Sequence, residues 1–522
     1  MRADTKRPHM DIFLNWMQSG HVPLSRDWQF ITGIHAGQTP GGLGRTGRPP
    51  KERGVIRPGG EHSTLEPMHP ADHEDRTWPA PAAAGPVSAR IRLPASKSIT
   101  NRALVLAALS DAPAVITNPL RARDTLLAAA SLRALGAEIV ESRTDWRVTP
   151  GQPAPGAMVS VDVGNAGTVM RFVPAVAALT SATAAFDGDV RARQRPVGPI
   201  LAALRELGAR ITGGRHGAVP FTVHGRGAVR GGTVRLDASG SSQLISGLLL
   251  AAPRFDEGIE VRHDGPPVPS APHIAMTVRM LRAAGAEVTE LRSGTGAAGR
   301  PDAWGVRPGP LGLGTVTVEP DLSNAGPFLA AALVTGGTVT VPGWPADSLQ
   351  AAGAILDMLT AMGARCEVGA DGLTITGTGQ VRGITADLRD VSELAPVLTA
   401  AAALAGSPSV FTGLAHTRAH ETDRLAALAK EINTLGGDIT ELPDGLQIRP
   451  RPLRAAGEEF ASYDDHRMVM AAAVLGLAVP GIRVAGAGTV AKTFPGFTDV
   501  WAGMLVRGDN RPEPRKALGP ER

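Results

Sequence analysis

Two kinds of apolar segment alternate along the chain. The first kind comprises SKSITNRALVLAAL (96–109), NAGTVMRFVPAVAAL (165–179), SSQLISGLLLAA (241–252), SNAGPFLAAALV (323–334), SELAPVLTAAAALA (392–405) and DDHRMVMAAAVLGLA (464–478). Each opens with Ser, Asn or Asp at a position suited to an N-cap. Each continues as an Ala/Leu-rich helix that is apolar nearly all round, which predicts a place in the protein interior. The second kind comprises LRALGAEI (132–139), LRELGARI (204–211), LRAAGAEV (281–288), LTAMGARC (359–366) and INTLGGDI (432–439), with starts 72, 77, 78 and 73 residues apart. Each reads as the end of an amphipathic helix, a glycine stop and a strand. A sixth, degenerate copy falls near Phe497–Val506.

The two series interleave into six units of about 75 residues, each with one buried helix, one amphipathic helix and short strands. Six units divide into three plus three. This predicts an α/β fold of two similar domains with buried parallel helices under β-sheet. The chain ends read differently. Residues 1–80 are rich in Gly, Pro, Arg and His, without periodic apolar segments; they predict a disordered N-terminal arm. The arm holds a G-x-G-x-x-G (Gly42, Gly44, Gly47), but no strand precedes it and Pro49-Pro50 follow, which argues against a dinucleotide site. Its His62, His69 and His73 read as solvated loop residues, and Met68 is an alternative start. A charged, Pro-rich tail at 509–522 is also expected to be disordered.

Net charge is only +4, too small to argue for nucleic acid. The single cysteine, Cys366, excludes an internal disulfide and fits a reducing cytoplasm. It reads as a small core residue. The longest apolar run, Met468–Val479, has 12 residues, short of the roughly 18 that a membrane span needs. No phosphate-loop motif or metal-spaced His/Cys set is present, so no cofactor and no metal is expected. Six lysines stand against 47 arginines. A position that stays Lys in such a chain suggests a need for a compact ammonium, and Lys97 and Lys492 are two such positions.

Polar chemistry concentrates at the starts of the buried helices. Lys97, Ser98 and Arg102 open the first. Gly164, Asn165, Gly167, Thr168 and Arg171 open the second, where glycine lets backbone approach a ligand. Arg191, Arg193 and Arg195 alternate before a Pro-led helix, and Ser239, Ser241, Ser242 and Gln243 open the third buried helix. Then come His416, His420, Glu421, Asp423 and Arg424, next Asp464, Asp465, His466 and Arg467, and finally Lys492 before Thr-Phe-Pro. Helix N-termini carry unpaired N–H groups and partial positive charge, so six of them threaded with Lys and Arg predict an anion-binding cleft.

From about residue 85 to 505 these motifs, PxSKSxxNRAL, GNAGTxxR, RxRPxG, SSQ, ETDR, YxDHRMxM and AKTFPxF, resemble in order those of the 5-enolpyruvylshikimate-3-phosphate synthase family. The resemblance implies transfer of the enolpyruvyl group of phosphoenolpyruvate to the 5-hydroxyl of shikimate 3-phosphate, with release of phosphate through a tetrahedral intermediate. It also implies two inside-out α/β domains of three βαβαββ-like repeats each, with the active site in the cleft between them. On this chain they would be 94–319 and 81–93 plus 320–508. The implied phosphoenolpyruvate set is Lys97, Asn165, Gly167, Arg195, Gln243, Arg424, Arg467 and Lys492. The implied shikimate 3-phosphate set is Lys97, Ser98, Arg102, Ser241, Ser242, Gln243, Ser270, Glu393, His416 and His420. Glu393 occupies the place of the family's usual Asp base. Glu421 and Lys97 are both candidates for the acid that protonates the enol carbon, and neighbouring cations weaken Glu421 as a resting acid. A monomeric cytoplasmic enzyme is expected.

The sequence departs from the family pattern at four further places. His420 replaces a Lys before ETDR, His416 an Asn, His273 a Tyr and Phe172 a Pro; neutral histidines would change the charge around shikimate 3-phosphate. Gly167, where added bulk would exclude the inhibitor glyphosate, is retained, so glyphosate is expected to compete with phosphoenolpyruvate. Two other readings compete. A UDP-N-acetylglucosamine enolpyruvyl transferase typically has a loop Cys and Lys-Asn where this chain has Lys97-Ser98. A non-catalytic repeat protein that binds anions has no need for Glu393 and Glu421 among so many cations.

Overall fold

The computed structural model describes residues 77–214, 216–292, 300–455 and 457–506. The glycine motif at 42–47, Met68, the arm histidines and the tail from 509 lie outside the described residues. Among the described residues the α-helices are α1 (Lys97–Ala108), α2 (Arg123–Ala134), α3 (Gly167–Ala178), α4 (Gly198–Glu206), α5 (Gln243–Ala251), α6 (Ala271–Ala283), α7 (Leu322–Thr335), α8 (Ala352–Ala361), α9 (Ala395–Ala403), α10 (Arg424–Thr434), α11 (His466–Ala478) and α12 (Phe497–Leu505). Odd-numbered helices are the apolar series and even-numbered ones the amphipathic series. Every residue of α3 and of α9 is buried, whereas only Ile355 and Leu359 are buried in α8. The glycine stops behave as the repeats predict. Gly136, Gly208, Gly285, Gly363 and Gly436 all have φ between 92° and 107°, where a side chain would be strained.

Each helix pair belongs to one small sheet. In the second unit Met158–Asp162 pairs in parallel with Thr183–Asp187, which pairs antiparallel with Phe221–His224, itself antiparallel to Arg210–Gly213. That is βαβαββ, and the first, third, fourth and fifth sheets repeat the same order of pairings. Edge strands are exchanged along the chain. Thr315–Thr317, which follows the third unit, supplies the parallel edge of the first sheet on Ala114–Thr117. Ser88–Arg90 supplies that edge for the fourth sheet on Thr338–Val341. Trp78–Pro79 completes the three-stranded sixth sheet on Arg483–Val484.

This last pairing corrects the sequence-derived arm at its end. Trp78 meets the Phe497 ring edge-on and Ala80 is buried, so ordered chain starts before residue 81. A helix packs at its own unit's sheet, but the edge strand comes from a distant segment, and no local pattern marks it.

Buried apolar residues form two separate clusters. One runs from Ala95 to Val318; the other joins Ala80–Ile91 to Leu322–Met504. The chain crosses between them twice, and the crossings lie side by side through an Ala95–Pro320 bridge, Ser96 N–H to the Glu319 carbonyl (2.8 Å) and Asp321 N–H to the Pro94 carbonyl (2.9 Å). Cys366 is half-buried on the strand Arg365–Gly369 rather than in the core. No helix among the described residues is long and apolar enough to cross a membrane.

Candidate active site

Helix starts place the polar side chains, though not always as the sequence suggests. Ser96 caps α1 by accepting from the Ile99 amide, and Asp465 caps α11 by accepting from Arg467. The cap of α7 is Asp321, two residues before the expected Ser323. Helices α3, α5 and α9 have no side-chain cap. Glu393 lies on a 3-10 turn, Arg389–Leu394, that leads into α9. Asn165 precedes α3 by two residues, which frees its side chain for Arg195.

One cavity, with an empty volume of about 650 Å³ open to solvent, lies between the two cores. Lys97, Ser98, Ser270 and His273 from the first core face Glu393 and Arg467 from the second. Lys97 Nζ pairs with Asp124 at 3.1 Å. Burial disfavours the Lys97 charge, but Asp124, Glu421 and Glu393 outweigh it and raise the ammonium pKa. Arg102 is 1% exposed and donates to Thr277 Oγ1 (2.7 Å), Ser246 Oγ (3.3 Å) and the carbonyls of Ser98 and His273. No carboxylate lies within ion-pair reach of it among the described residues, and burial pushes its pKa down to about 9. A buried guanidinium without a counter-ion favours an incoming anion.

A second cluster surrounds Gly167. Arg195 donates to the Asn165 carbonyl (2.5 Å) and to Asn165 Oδ1 (3.0 Å), while Arg171 donates to Gln243 Oε1 (2.9 Å). A Cβ added at Gly167 would sit 2.8 Å from Arg171 Nη1 and 2.9 Å from both Arg195 Nη2 and Gln243 Oε1. Gly247 lets α5 approach α3 this closely, because a Cβ there would lie 2.2 Å from the Arg171 carbonyl oxygen. Arg171 is a site residue that the sequence-derived sets omit. It too has no carboxylate partner within ion-pair distance among the described residues, and burial followed by Arg195 pushes its pKa down to about 9. Its place in GNAGTxxR is the signal that could have found it.

Arg424 forms the centre of the opposite wall. It is 2% exposed and donates to Asp465 (2.7 and 3.3 Å), Glu421 (3.2 Å) and Glu393 (3.5 Å). Arg467 Nε lies 3.4 Å from Glu393, and its Nη2 donates to Ser323 Oγ at 2.6 Å. Glu421 joins the two walls, with Arg195 Nη1 3.9 Å from its Oε1. Burial alone would raise the pKa of both glutamates. Arg424 and Arg467 hold Glu393, and Arg195 and Arg424 hold Glu421, well below the usual carboxylate range. Both are therefore ionised at neutral pH, as the sequence reading of Glu421 anticipated.

Other members of the implied sets lie further from this network. Lys492 donates to the Asp464 carbonyl (2.6 Å) from the end of a partly buried 3-10 turn, Ala487–Lys492. Ser241 Oγ accepts from the Gln243 amide, and Ser242 is buried at the start of α5. Ser270 Oγ lies 3.3 Å from Ser392 Oγ, which lies 3.0 Å from His416 Nε2. Ser392 is fully buried beside Glu393; the sequence pattern made it an N-cap, but the helix starts three residues later without a side-chain cap.

The substituted histidines are neutral. Burial, with Arg102, pushes His273 down to about 4, and burial, with Arg424, does the same to His416. His420 Nδ1 lies 3.1 Å from Arg424 Nη1. A guanidinium only donates, so Nδ1 accepts and Nε2 carries the ring proton. An unfolded histidine titrates near 6.5, whereas His273 and His416 stay unprotonated until about pH 4. The unfolded chain thus binds more protons in that window, and stability is expected to fall with pH from about 6.5 to 4, by up to about 1.4 kcal/mol per pH unit for each. Urea unfolding at pH 7 and pH 5 checks this. His416→Asn should flatten the slope, and an unchanged midpoint in both proteins would contradict it.

Comparison with known proteins gives one family. The family described as EPSP synthase (3-phosphoshikimate 1-carboxyvinyltransferase) matches residues 81–501. A solved EPSP synthase from Acinetobacter baumannii is 26% identical over 81% of this chain and 96% of its own, with a TM-score of 0.65. A second structure of EPSP synthase from that organism gives 25% identity, 80% and 96% coverage and a TM-score of 0.64. With the cation-lined cleft and the motifs all inside the matched span, the chain belongs to the EPSP synthase family.

Proposed function

We propose the following division of labour for the 3-phosphoshikimate enolpyruvyl transfer that this enzyme performs. Shikimate 3-phosphate lies along the first core, with Arg102, Ser98, Ser241, Ser242, Gln243 and Ser270 around it and the neutral His416 and His420 facing it. Phosphoenolpyruvate sits against Lys97, Asn165, Gly167, Arg171, Arg195, Gln243, Arg424, Arg467 and Lys492. Arginine forks suit its carboxylate and phosphate, and ammonium groups add mobile charge. The ligands bind between two domains, 94–319 and 78–93 plus 320–506, of a monomeric cytoplasmic protein.

The observation that carries this reading is the position of Glu393. An ionised carboxylate, 3.5 Å from Arg424 and 3.4 Å from Arg467, lines the same cavity as Lys97 and Ser270. It takes the proton of the 5-hydroxyl as that oxygen bonds to the central carbon of phosphoenolpyruvate. The methylene carbon gains a proton in the same addition. The resulting tetrahedral intermediate then loses phosphate through cleavage of its C–O bond, the new methyl group gives up a proton, and the double bond reforms. Lys97 carries a proton at rest, while Glu421 does not. Phosphoenolpyruvate would share Arg195 and Arg424 with Glu421 and so weaken what keeps it ionised, which leaves Glu421 available as the acid once substrate is bound.

Gly167→Ala tests where phosphoenolpyruvate sits. The added methyl meets the ends of flexible side chains, so folding should tolerate it, but Arg171, Arg195 and Gln243 must move. The KM for phosphoenolpyruvate is expected to rise on the order of tenfold, with that for shikimate 3-phosphate within about threefold, because Arg171 and Arg195 belong to the phosphoenolpyruvate set alone and only Gln243 is shared. Inhibition by glyphosate, competitive with phosphoenolpyruvate in the parent enzyme, should weaken as well. A change confined to shikimate 3-phosphate would reverse the assignment.

A further inference from the structure

Arg191 is the first of the three alternating arginines. Arg193 pairs with Asp187 at the surface and Arg195 faces the cleft, so both have a role without it. Arg191 reaches instead from the first core to the second. Its Nε donates to the Glu421 carbonyl at 3.0 Å and its Nη2 to the His420 carbonyl at 3.1 Å, while Nη1 is held by Gln194 Oε1 at 2.8 Å. No carboxylate pairs with it within ion-pair distance among the described residues. Four residues on, Arg195 faces the Glu421 carboxylate at 3.9 Å. The short turn Ala192–Gln194 joins the two, closed by Ala192 N–H to the Asp189 carbonyl and Arg195 N–H to the Ala192 carbonyl. One turn of the first core therefore holds Glu421 twice, by its backbone and by its side chain.

His420 and Glu421 lie between the 3-10 turn Ala415–Ala419 and α10, where neither helix fixes their carbonyls. A flat guanidinium fork matches two adjacent carbonyl oxygens and orients the peptide that carries them. We propose that Arg191 is a positioning residue: when the cores come together it fixes the His420–Glu421 backbone, so that Glu421 meets the bound enolpyruvyl group in register. This rests on the catalytic placement of Glu421 proposed above. Misplacing a catalytic group by about 1 Å can cost on the order of 100-fold in rate, so the contact belongs to turnover rather than to substrate capture.

A second arginine provides the comparison. Arg279 also crosses between the cores, donating to Asp347 (2.8 Å) and to the Ser348 carbonyl (2.7 Å), but it touches no site residue. If Arg191 only latched the cores, the two should behave alike. Full-length Arg191→Met, Arg191→Lys and Arg279→Gln are to be compared by steady-state phosphate release and by calorimetry of shikimate 3-phosphate binding without phosphoenolpyruvate. Arg191→Met is expected to lose about 10- to 100-fold in kcat, with shikimate 3-phosphate affinity within about threefold of the parent. Arg191→Lys, which keeps the charge and part of the donor set, should fall between. Arg279→Gln should stay within about threefold in kcat, as expected for an exposed pair. Parental kcat in a folded Arg191→Met, or an equal loss in Arg279→Gln, overturns the proposal. If Arg191→Met does not fold, parental kcat in Arg191→Lys overturns it. A parent enzyme that releases no phosphate overturns the reading beneath it instead.

Discussion

Replacing Glu393 by Gln is expected to lower phosphate release at saturating substrates about 1000-fold, within the range for loss of a general base. Gln is nearly isosteric and can still accept from Arg424, so the 3-10 turn that presents it should survive. It cannot take the proton of the 5-hydroxyl. Binding should respond in the opposite sense. Glu393 shares both arginines with the incoming anion, and removing its charge leaves Arg424 and Arg467 more positive toward phosphoenolpyruvate. The affinity for phosphoenolpyruvate, read by calorimetry in the presence of shikimate 3-phosphate, should therefore hold or tighten while kcat collapses. That split separates a lost base from a damaged site. Turnover within threefold of the parent would remove Glu393 from the chemistry.

Arg424→Leu is expected to abolish turnover and to cost stability at the same time. The guanidinium is buried and bonds three carboxylates, one of which, Asp465, is fully buried. Leucine fills part of the volume but leaves those carboxylates without their common partner. Breaking a buried pair from one side costs about 3–5 kcal/mol. In a protein of this size that is a loss on the order of 3–6 °C in Tm. The pKa values of Glu393 and Glu421, now depressed by Arg424, should rise toward the ordinary range, which leaves both ionised at neutral pH but moves the acid limb of the pH–rate profile upward. Arg424→Lys restores the charge but not the fork, and should recover stability better than activity. A thermal melt and a phosphate-release assay on both variants check this; an unshifted Tm in Arg424→Leu would contradict the buried network.

Local pattern reaches far in this fold because each unit repeats it. Apolar helices, amphipathic helices and positive-φ glycines all fall where the repeats put them. Pairing between distant segments is less visible. Nothing in Thr315–Thr317, Ser88–Arg90 or Trp78–Pro79 says that each completes a sheet of another unit. The site divides in the same way. Lys97 and Arg424 are the first residues of helices whose starts their motifs encode, and Arg195 and Glu421 lie three residues ahead of such a start. Asp124, 27 residues from Lys97, and Ser392, between Ser270 and His416, become neighbours only through packing. The histidines carry no sequence signal for their protonation state. Burial decides it, and makes the change from the family's Lys at His420 a change from charged to neutral.

The most direct measurement of the central claim is phosphate release from phosphoenolpyruvate by the purified enzyme, with shikimate 3-phosphate or UDP-N-acetylglucosamine as acceptor. Release that depends on shikimate 3-phosphate and is absent with the nucleotide sugar is the result the cleft predicts. Release with the nucleotide sugar alone, or none with either from folded protein, would contradict it.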